Sequence, residues 1–162
     1  GVSLSGSILQ MDRKWIVLGG FLALVVGGGL GIGLFTLPGE WYASLNKPSF
    51  NPPNWIFGPV WTILYVLIAI AGWRIWLAAP SGAAMKLWWI ALVLNFLWSP
   101  VFFGAQQLAF ALVIILALLV TILAFIAAAQ PVDRPASLMF VPYAAWVGFA
   151  SLLNGSIYLM NP

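Results

Sequence analysis

Aromatic side chains recur at helical spacing in three separate stretches of the chain. Residues three or four apart lie on one face of a helix. The pairs at this spacing are Trp61 with Tyr65, Asn95 with Trp98, and Trp146 with Ala150. If the three faces meet, they enclose a pocket with flat aromatic walls, one amide and free space at the alanine, which suits a flat apolar ligand. The same spacing is equally typical of tryptophans that only fill a bundle core.

The residue types limit the chemistry that such a pocket could perform. The chain has no His and no Cys, so it lacks thiolate ligands, a cysteine nucleophile and the usual general base near neutral pH. Its three acidic residues, Asp12, Glu40 and Asp133, all lie outside the apolar stretches. The composition therefore offers no conventional acid–base, nucleophilic or thiolate-metal apparatus. We expect no metal and no cofactor, and the net charge of +3 is too small to indicate nucleic-acid binding.

The elements that must position these residues are membrane-spanning helices. The chain is 64% hydrophobic and 6% charged, whereas soluble domains carry about 25% charged residues. Five stretches approach or exceed the roughly 20 apolar residues that cross a bilayer. They cover residues 15–37, 60–79, 87–104, 108–129 and 138–160. None alternates polar with apolar residues as a barrel strand would, so we predict an all-α integral membrane protein, a bundle of five transmembrane helices.

The predicted bundle forms a single domain over residues 11–162. Residues 1–10 precede Met11 and look like a cloning remnant. The loop of residues 41–55 between the first two spans is long, aromatic and fixed by prolines. Because long loops in compact domains are usually functional, we expect this loop to fold over the mouth of the pocket.

Basic residues predict how the bundle is oriented in the membrane. In a five-span bundle the N-terminus shares one side with the second and fourth connectors. That side carries Arg13, Lys14, Arg74, Lys86 and Arg134, whereas the other side carries only Lys47. Cytoplasmic loops are enriched in Lys and Arg. We therefore predict a cytoplasmic N-terminus, with the 41–55 loop and the C-terminus outside.

Small residues form a ladder along the first span. Gly19, Ala23, Gly27 and Gly31 are each four residues apart, and such a ladder lets a second helix approach closely. The second helix could belong to the same chain or to another copy in a homodimer, and the spacing favours neither.

Three blocks of residues follow one another in a distinctive order. They are Trp41-Tyr42 with Lys47-Pro48, Pro52-Pro53, Phe57, Trp61 and Tyr65; Asn95 with Trp98, Pro100 and Phe102; and Pro142-Tyr143 with Trp146, Ala150 and Leu153-Asn154. Together they resemble the signature of the TspO/MBR family, the tryptophan-rich sensory proteins also called translocator proteins or peripheral benzodiazepine receptors.

The resemblance implies a five-helix bundle, often a homodimer, with a pocket under the first loop. In the family this pocket binds porphyrins, haem, sterols and synthetic isoquinoline or benzodiazepine ligands. Matched position by position, the implied pocket residues are Tyr42, Pro52, Trp61, Tyr65, Asn95, Trp98, Trp146 and Ala150. The family is also linked to light-dependent breakdown of protoporphyrin, for which two pocket tryptophans are implicated. Those two match Trp61 and Trp146.

The chain departs from the family pattern at two places. Ile114 stands where the fourth helix usually carries an Asp, which implies the loss of a polar contact. Gly155 stands where the sterol-recognition segment has a Tyr, and no basic residue follows Tyr158. Sterol motifs of this kind are weak patterns, and their absence argues against dedicated cholesterol binding more than against porphyrin binding.

Three functions fit these residues. The leading interpretation is a membrane protein that binds porphyrins or other tetrapyrroles in a sensory or regulatory role. Because strong axial ligation of haem iron needs His or Cys more often than Tyr or Met, the pocket favours metal-free porphyrin, as a ligand rather than a cofactor. The alternatives are a light-dependent enzyme that degrades protoporphyrin, and a tetrapyrrole transporter, although transporters usually show internal repeats or charged pathway residues.

Overall fold

The computed structural model describes residues 13–162, which contain helices and connecting loops but no strand. Five helices are long and apolar enough to cross a membrane, and a short sixth helix lies in the first loop. They are α1 Arg13–Phe35, the short α2 Glu40–Ser44, α3 Asn54–Ala78, α4 Ala83–Gly104, α5 Leu108–Ala129 and α6 Arg134–Met160. The predicted fold class is confirmed, and the protein is a multi-pass integral membrane protein.

The helix bounds follow the apolar stretches, but three helices begin several residues earlier than predicted, among them α4, which begins at Ala83, four residues before its predicted stretch. Helix α5 has the predicted bounds, whereas α3 begins at Asn54, six residues before the predicted stretch, and α6 begins at Arg134, four residues before it. Pro53 has extended backbone angles and precedes the first turn of α3. Asp133 caps α6 through the backbone N–H of Ala136. A capping side chain therefore sets the start of α6, whereas no side chain caps the start of α3.

Two of the long helices contain a widened π-helical turn. In α1 this turn covers Ala23–Gly27, and in α4 it covers Pro100–Gly104. A proline has no N–H to donate to the preceding turn, and the chain after Pro100 closes instead with a bond from the Ala105 N–H to the Pro100 carbonyl, at 2.8 Å. Such turns bend helices and are frequent at functional sites.

Helices α3 to α6 form the tightly packed part of the bundle. Helix α6 packs along α5 and α3, and α4 packs along α5. Trp88 is fully buried, and its Nε1 donates to the Ile68 carbonyl at 2.9 Å. A Cβ on Gly72 would lie 2.4 Å from the Trp88 ring, so only glycine lets α3 and α4 approach at this point.

The small-residue ladder of α1 faces away from the rest of the described chain. Gly19, Ala23 and Gly27 are exposed, and a Cβ on Gly19, Gly27 or Gly31 would meet nothing within 4 Å. Close packing inside the bundle uses a different glycine, Gly29, against the ring of Tyr65. The ladder was predicted to pack either within one chain or against another copy. No helix of the described chain packs against this face, so the first interpretation does not apply to it.

The two ends of the bundle differ in charge. At one end the Trp73 Nε1 donates to the Lys14 carbonyl at 3.0 Å, and Arg74 Nε lies 2.7 Å from Asp133 Oδ2. Most of the basic residues gather there, as the alternating spans require. Lys47 lies at the opposite end with the first loop. The assignment of the basic end to the cytoplasm stays a prediction.

The Arg74–Asp133 pair joins the end of α3 to the start of α6. Arg74 donates through both Nε and Nη2, at 2.7 Å and 3.1 Å, while the same carboxylate accepts from the Ala136 N–H at 3.1 Å. The hydrogen bond from Arg74 holds the pKa of the Asp133 carboxyl below its usual value of 3.8. The carboxylate thus stabilises the fold only while it is ionised.

Replacing Asp133 by alanine is expected to lower the free energy of unfolding by about 1 kcal/mol, which is typical of a lost N-cap. Arg74 is partly exposed, so the ion pair itself adds little. Because the folded pKa lies below the unfolded one, this contribution is present above about pH 4 and is lost as the pH falls through the folded pKa. Denaturant unfolding in detergent micelles across this range measures it.

Asp133→Asn is the matched control, since asparagine caps a helix nearly as well as aspartate but carries no charge. It should retain part of the stability and lose the acid-dependent part. If Asp133→Asn keeps the acid dependence of the original protein, another carboxylate is responsible for it.

Candidate ligand-binding cavity

A cavity of about 440 Å³ lies between the outer halves of α1, α3, α4 and α6, beneath the first loop. Six of the eight residues that the sequence predicts for the site line it. They are Tyr42, Trp61, Tyr65, Asn95, Trp98 and Ala150. The other two, Pro52 and Trp146, do not line it. The three helical faces therefore do meet around one space.

One wall of the cavity is a pair of stacked rings on α3. Trp61 and Tyr65 have centroids 5.5 Å apart and planes inclined by 27°. A Cβ on Gly29 would lie 2.4 Å from the Tyr65 ring, so the glycine lets this ring rest directly on the backbone of α1. The pair presents a flat, rigid surface on which a flat ligand can stack.

Asn95 links two helices and also lines the cavity. Its Nδ2 donates to the hydroxyl of Tyr143 on α6, and both residues are buried. The Asn95 amide therefore belongs both to the predicted pocket and to a bond between α4 and α6. The amide oxygen has no partner among residues 13–162 and remains available as an acceptor at the cavity wall.

Asn154 fixes the second tryptophan of the cavity. The Trp98 Nε1 donates to Asn154 Oδ1 at 3.0 Å, and Asn154 Nδ2 donates to the Leu108 carbonyl at 3.0 Å. Asn154 is 1% exposed and lines the cavity. Asn154 belongs to the third sequence block, but no role was predicted for it. Its place as a polar residue inside an apolar span was a signal that it faces inward.

Trp146 lies behind the cavity wall rather than in it. Its ring centroid is 6.3 Å from that of Trp61 and 5.8 Å from that of Phe57, edge-on to both. Those two residues line the cavity and separate Trp146 from it. The Nε1 of Trp146 is buried and has no hydrogen-bond partner within the described chain. Helical spacing predicted the face of α6 that carries Trp146. It could not predict that the ring of Phe57 would lie between Trp146 and the cavity.

The first loop covers the cavity and is anchored by Tyr42. This residue of α2 is buried against Phe102 and Phe103 of α4, and its hydroxyl donates to Asn51 Oδ1 at 3.1 Å. Burial raises the pKa of the Tyr42 hydroxyl, and the bond to Asn51 offsets part of that rise. The tyrosine is therefore neutral throughout the physiological range.

Lys47 caps the short loop helix. Its Nζ donates to the carbonyls of Tyr42, Leu45 and Ala43 at 2.7, 3.0 and 3.4 Å, and lies 4.7 Å from the centre of the Tyr42 ring. A cation at the C-terminus of a helix satisfies the last carbonyls. The loop thus holds its own shape and keeps Tyr42 pointed at α4.

Two asparagines clasp the loop to the end of α6. The Asn46 N–H donates to Asn161 Oδ1 at 2.9 Å, and Asn161 Nδ2 donates to the Asn46 carbonyl at 2.8 Å. Both bonds are exposed, and they join residues 115 positions apart. Pro52 shapes the same loop without touching the cavity.

The cavity is electrically neutral. None of the described residues that line it is charged, and residues 13–162 contain no group of side chains that could hold a metal ion. Ile114, where the family resemblance leads one to expect Asp, is buried and does not line the cavity. The presence of Ile114 in place of Asp therefore does not change the polar groups that line the cavity.

The fold and the site together define a multi-pass membrane protein with an aromatic, uncharged cavity beneath a clasped loop. The chain belongs to the TspO/MBR family, whose sequence profile matches residues 21–159. It is 42% identical over 151 residues to the tryptophan-rich protein TspO of Chlorobaculum tepidum, covering 87% of this chain and 96% of that protein.

Bacterial and mammalian relatives are similar over nearly the whole length. The tryptophan-rich sensory protein of Cereibacter sphaeroides is 36% identical and covers 93% of this chain and 95% of its own length. The human translocator protein is 34% identical and covers 93% of this chain and 94% of its own length.

Proposed function

We propose that the protein binds a flat tetrapyrrole, metal-free porphyrin in particular, in this cavity and that binding serves a sensory or regulatory role. The observation that carries the proposal is a neutral cavity of about 440 Å³ walled by stacked aromatic rings. That size is within the range of small-molecule sites, about 300–1,000 Å³. The names of the relatives, sensory protein and translocator protein, support a sensory or translocator role in a membrane.

The polar groups of the cavity suit one face of such a ligand, because the pyrrole N–H groups of a porphyrin lie at the centre of its ring. The free amide oxygen of Asn95 can accept from a pyrrole N–H, while Trp61 and Trp98 offer apolar faces. No cation is among the described residues that line the cavity, so ionised side groups of a porphyrin would stay near its mouth. There the exposed Asn54 begins α3 and the loop meets water.

Titration of the purified protein with protoporphyrin, followed by tryptophan fluorescence, tests the proposal through Asn95. Asn95→Leu should weaken binding by about three- to thirtyfold, since a hydrogen bond in a membrane protein contributes roughly 0.6–2 kcal/mol. It should also lower the stability of the free protein by about 1 kcal/mol, because the buried Tyr143 hydroxyl loses its partner.

Tyr143→Phe is the matched control. It removes the same helix–helix bond but leaves the Asn95 amide in the cavity. The control should therefore lose stability and retain affinity. If both variants weaken porphyrin binding equally, Asn95 acts only as a bond between helices.

Light-dependent breakdown of porphyrin is a second candidate function, and one contact favours it. Trp61 lines the cavity, and Trp146 touches Trp61 edge-on. An excited porphyrin can take an electron from an indole, with dioxygen as the terminal oxidant, and two adjacent indoles can share the oxidised state.

We also propose that the protein forms a homodimer. What supports this is the exposed small-residue face of α1 at Gly19, Ala23 and Gly27, which has no partner within the described chain. Close helix approach at such a face is a common mode of association in membranes. Subunit counting by single-molecule photobleaching in lipid bilayers tests it, and a monomer at all densities would exclude it.

A further inference from the structure

We propose that the ligand reaches the cavity from within the bilayer, through a lateral gap between α1 and α3, and not through the loop. The inference rests on the proposed ligand binding. It adds an entry route for the ligand. That route defines the ligand class as molecules that dissolve in the hydrocarbon of the membrane before they bind.

The first observation is that several residues line the cavity and face the outside of the bundle at once. On α1 these are Leu30 and Leu34, with 38% and 71% of their surface exposed, and on α3 Trp55 is 73% exposed. The described lining residues from α6, such as Asn154, are buried, and those from α4 are either buried, such as Phe102, or partly buried, such as Phe96. The cavity wall is therefore thick on the α4 and α6 sides and thin between α1 and α3.

The second observation is that a glycine, which has no side chain, lies on each edge of the gap. Gly33 of α1 and Gly58 of α3 both line the cavity, and a Cβ at either position would meet nothing within 4 Å. Neither glycine is needed for close helix packing, unlike Gly29 and Gly72. Both leave open space where a larger residue would close the gap.

The path of α1 explains why the gap forms. Helix α1 contacts α3 near its N-terminus, at its π-helical turn Ala23–Gly27 and at Gly29, and π-helical turns are points of bending. Beyond Gly29, the end of α1 is tied to α4, because the hydroxyls of Thr36 and Ser99 hydrogen bond at 2.6 Å. The outer half of α1 is thus held towards α4, away from α3.

The loop covers part of the water-facing side of the cavity, whose mouth lies near the exposed Leu37 and Asn54. Tyr42 plugs it against α4, Lys47 caps the loop helix, and the Asn46–Asn161 clasp holds the loop to α6. A ligand from water would have to pass the loop that the clasp holds. A ligand in the bilayer meets leucines and glycines in the last turns of α1 and the first turns of α3.

The test is a kinetic experiment with protoporphyrin in phosphatidylcholine nanodiscs, followed by stopped-flow tryptophan fluorescence. Gly33→Leu and Gly58→Leu each narrow the gap without a steric conflict. Each should lower the association rate constant by about tenfold, the low end of the range for variants of one site. The dissociation rate constant should fall by a similar factor, so that Kd changes little. Leu34→Ala widens the gap and should raise both rate constants.

Two further variants make the outcome decisive. Gly20→Leu is the matched control, because Gly20 is an exposed glycine of the same helix that has an open Cβ position and does not line the cavity. Asn161→Ala opens the clasp. The proposal is overturned if Asn161→Ala speeds association while the two leucine variants do not slow it, or if those variants raise Kd at an unchanged association rate. Absence of saturable binding by the unaltered protein would instead overturn the proposed function.

Discussion

Replacement of Asn154 by leucine is expected to lower the free energy of unfolding by about 2 kcal/mol, within the range for a buried donor that loses its acceptor. The Trp98 indole N–H would keep its place in an apolar environment with nothing to bond. The Leu108 carbonyl would also lose a bond, but it lies in the first turn of α5, where the helix can satisfy it. Reversible unfolding in mixed micelles measures the loss.

The same substitution should weaken porphyrin binding, because Trp98 would no longer be fixed at the cavity wall. A double-mutant cycle with Trp98→Phe isolates the bond. Phenylalanine has no N–H, so Asn154→Leu should cost about 1 kcal/mol less in that background. Additive effects in the cycle would show that the indole–amide bond contributes nothing.

Asn154 illustrates where sequence reasoning ends for this bundle. A polar residue in an apolar span must face inward, and both Asn95 and Asn154 are indeed buried. Their partners, Tyr143 and Trp98, could not be predicted, because the partner depends on how α4 and α6 rotate against each other. Helical spacing fixes which residues share a face, but not which residue of another helix that face meets.

The spans themselves were predictable because hydropathy and length determine them. Helix α5 has no capping side chain and no interruption, and its bounds agree with the apolar run. Helices α3 and α6 begin earlier than predicted, since Pro53 and Asp133 set their first turns. The clasp between Asn46 and Asn161 carried no sequence signal, because it joins exposed residues at distant positions of the chain.

The position of Trp146 is the sharpest difference between prediction and structure. The resemblance places it in the pocket, and the structure places Phe57 and Trp61 between it and the cavity. Sequence spacing predicted its face of α6, which does point towards α3. Which of the rings of Phe57, Trp61 and Trp146 reaches the cavity depends on their rotamers. Those rotamers are fixed only when the helices pack together.

The arrangement of Trp61 and Trp146 separates binding from photochemistry. If the protein degrades protoporphyrin in light, Trp146→Phe should leave porphyrin binding nearly intact, since residue 146 does not line the cavity. The rate of light-dependent breakdown should fall to about a tenth, equivalent to a barrier higher by ~1.4 kcal/mol. The reason is that a phenyl ring is much harder to oxidise than an indole and cannot share the oxidised state of Trp61.

Absorbance of the porphyrin under controlled illumination, together with a binding titration, measures both quantities. Trp89→Phe provides the matched control, because Trp89 is an exposed tryptophan that does not line the cavity. Trp61→Phe should reduce both affinity and breakdown, since its ring is part of the wall. An unchanged breakdown rate in Trp146→Phe would mean that this tryptophan only packs behind the wall, and that any photochemistry ends at Trp61.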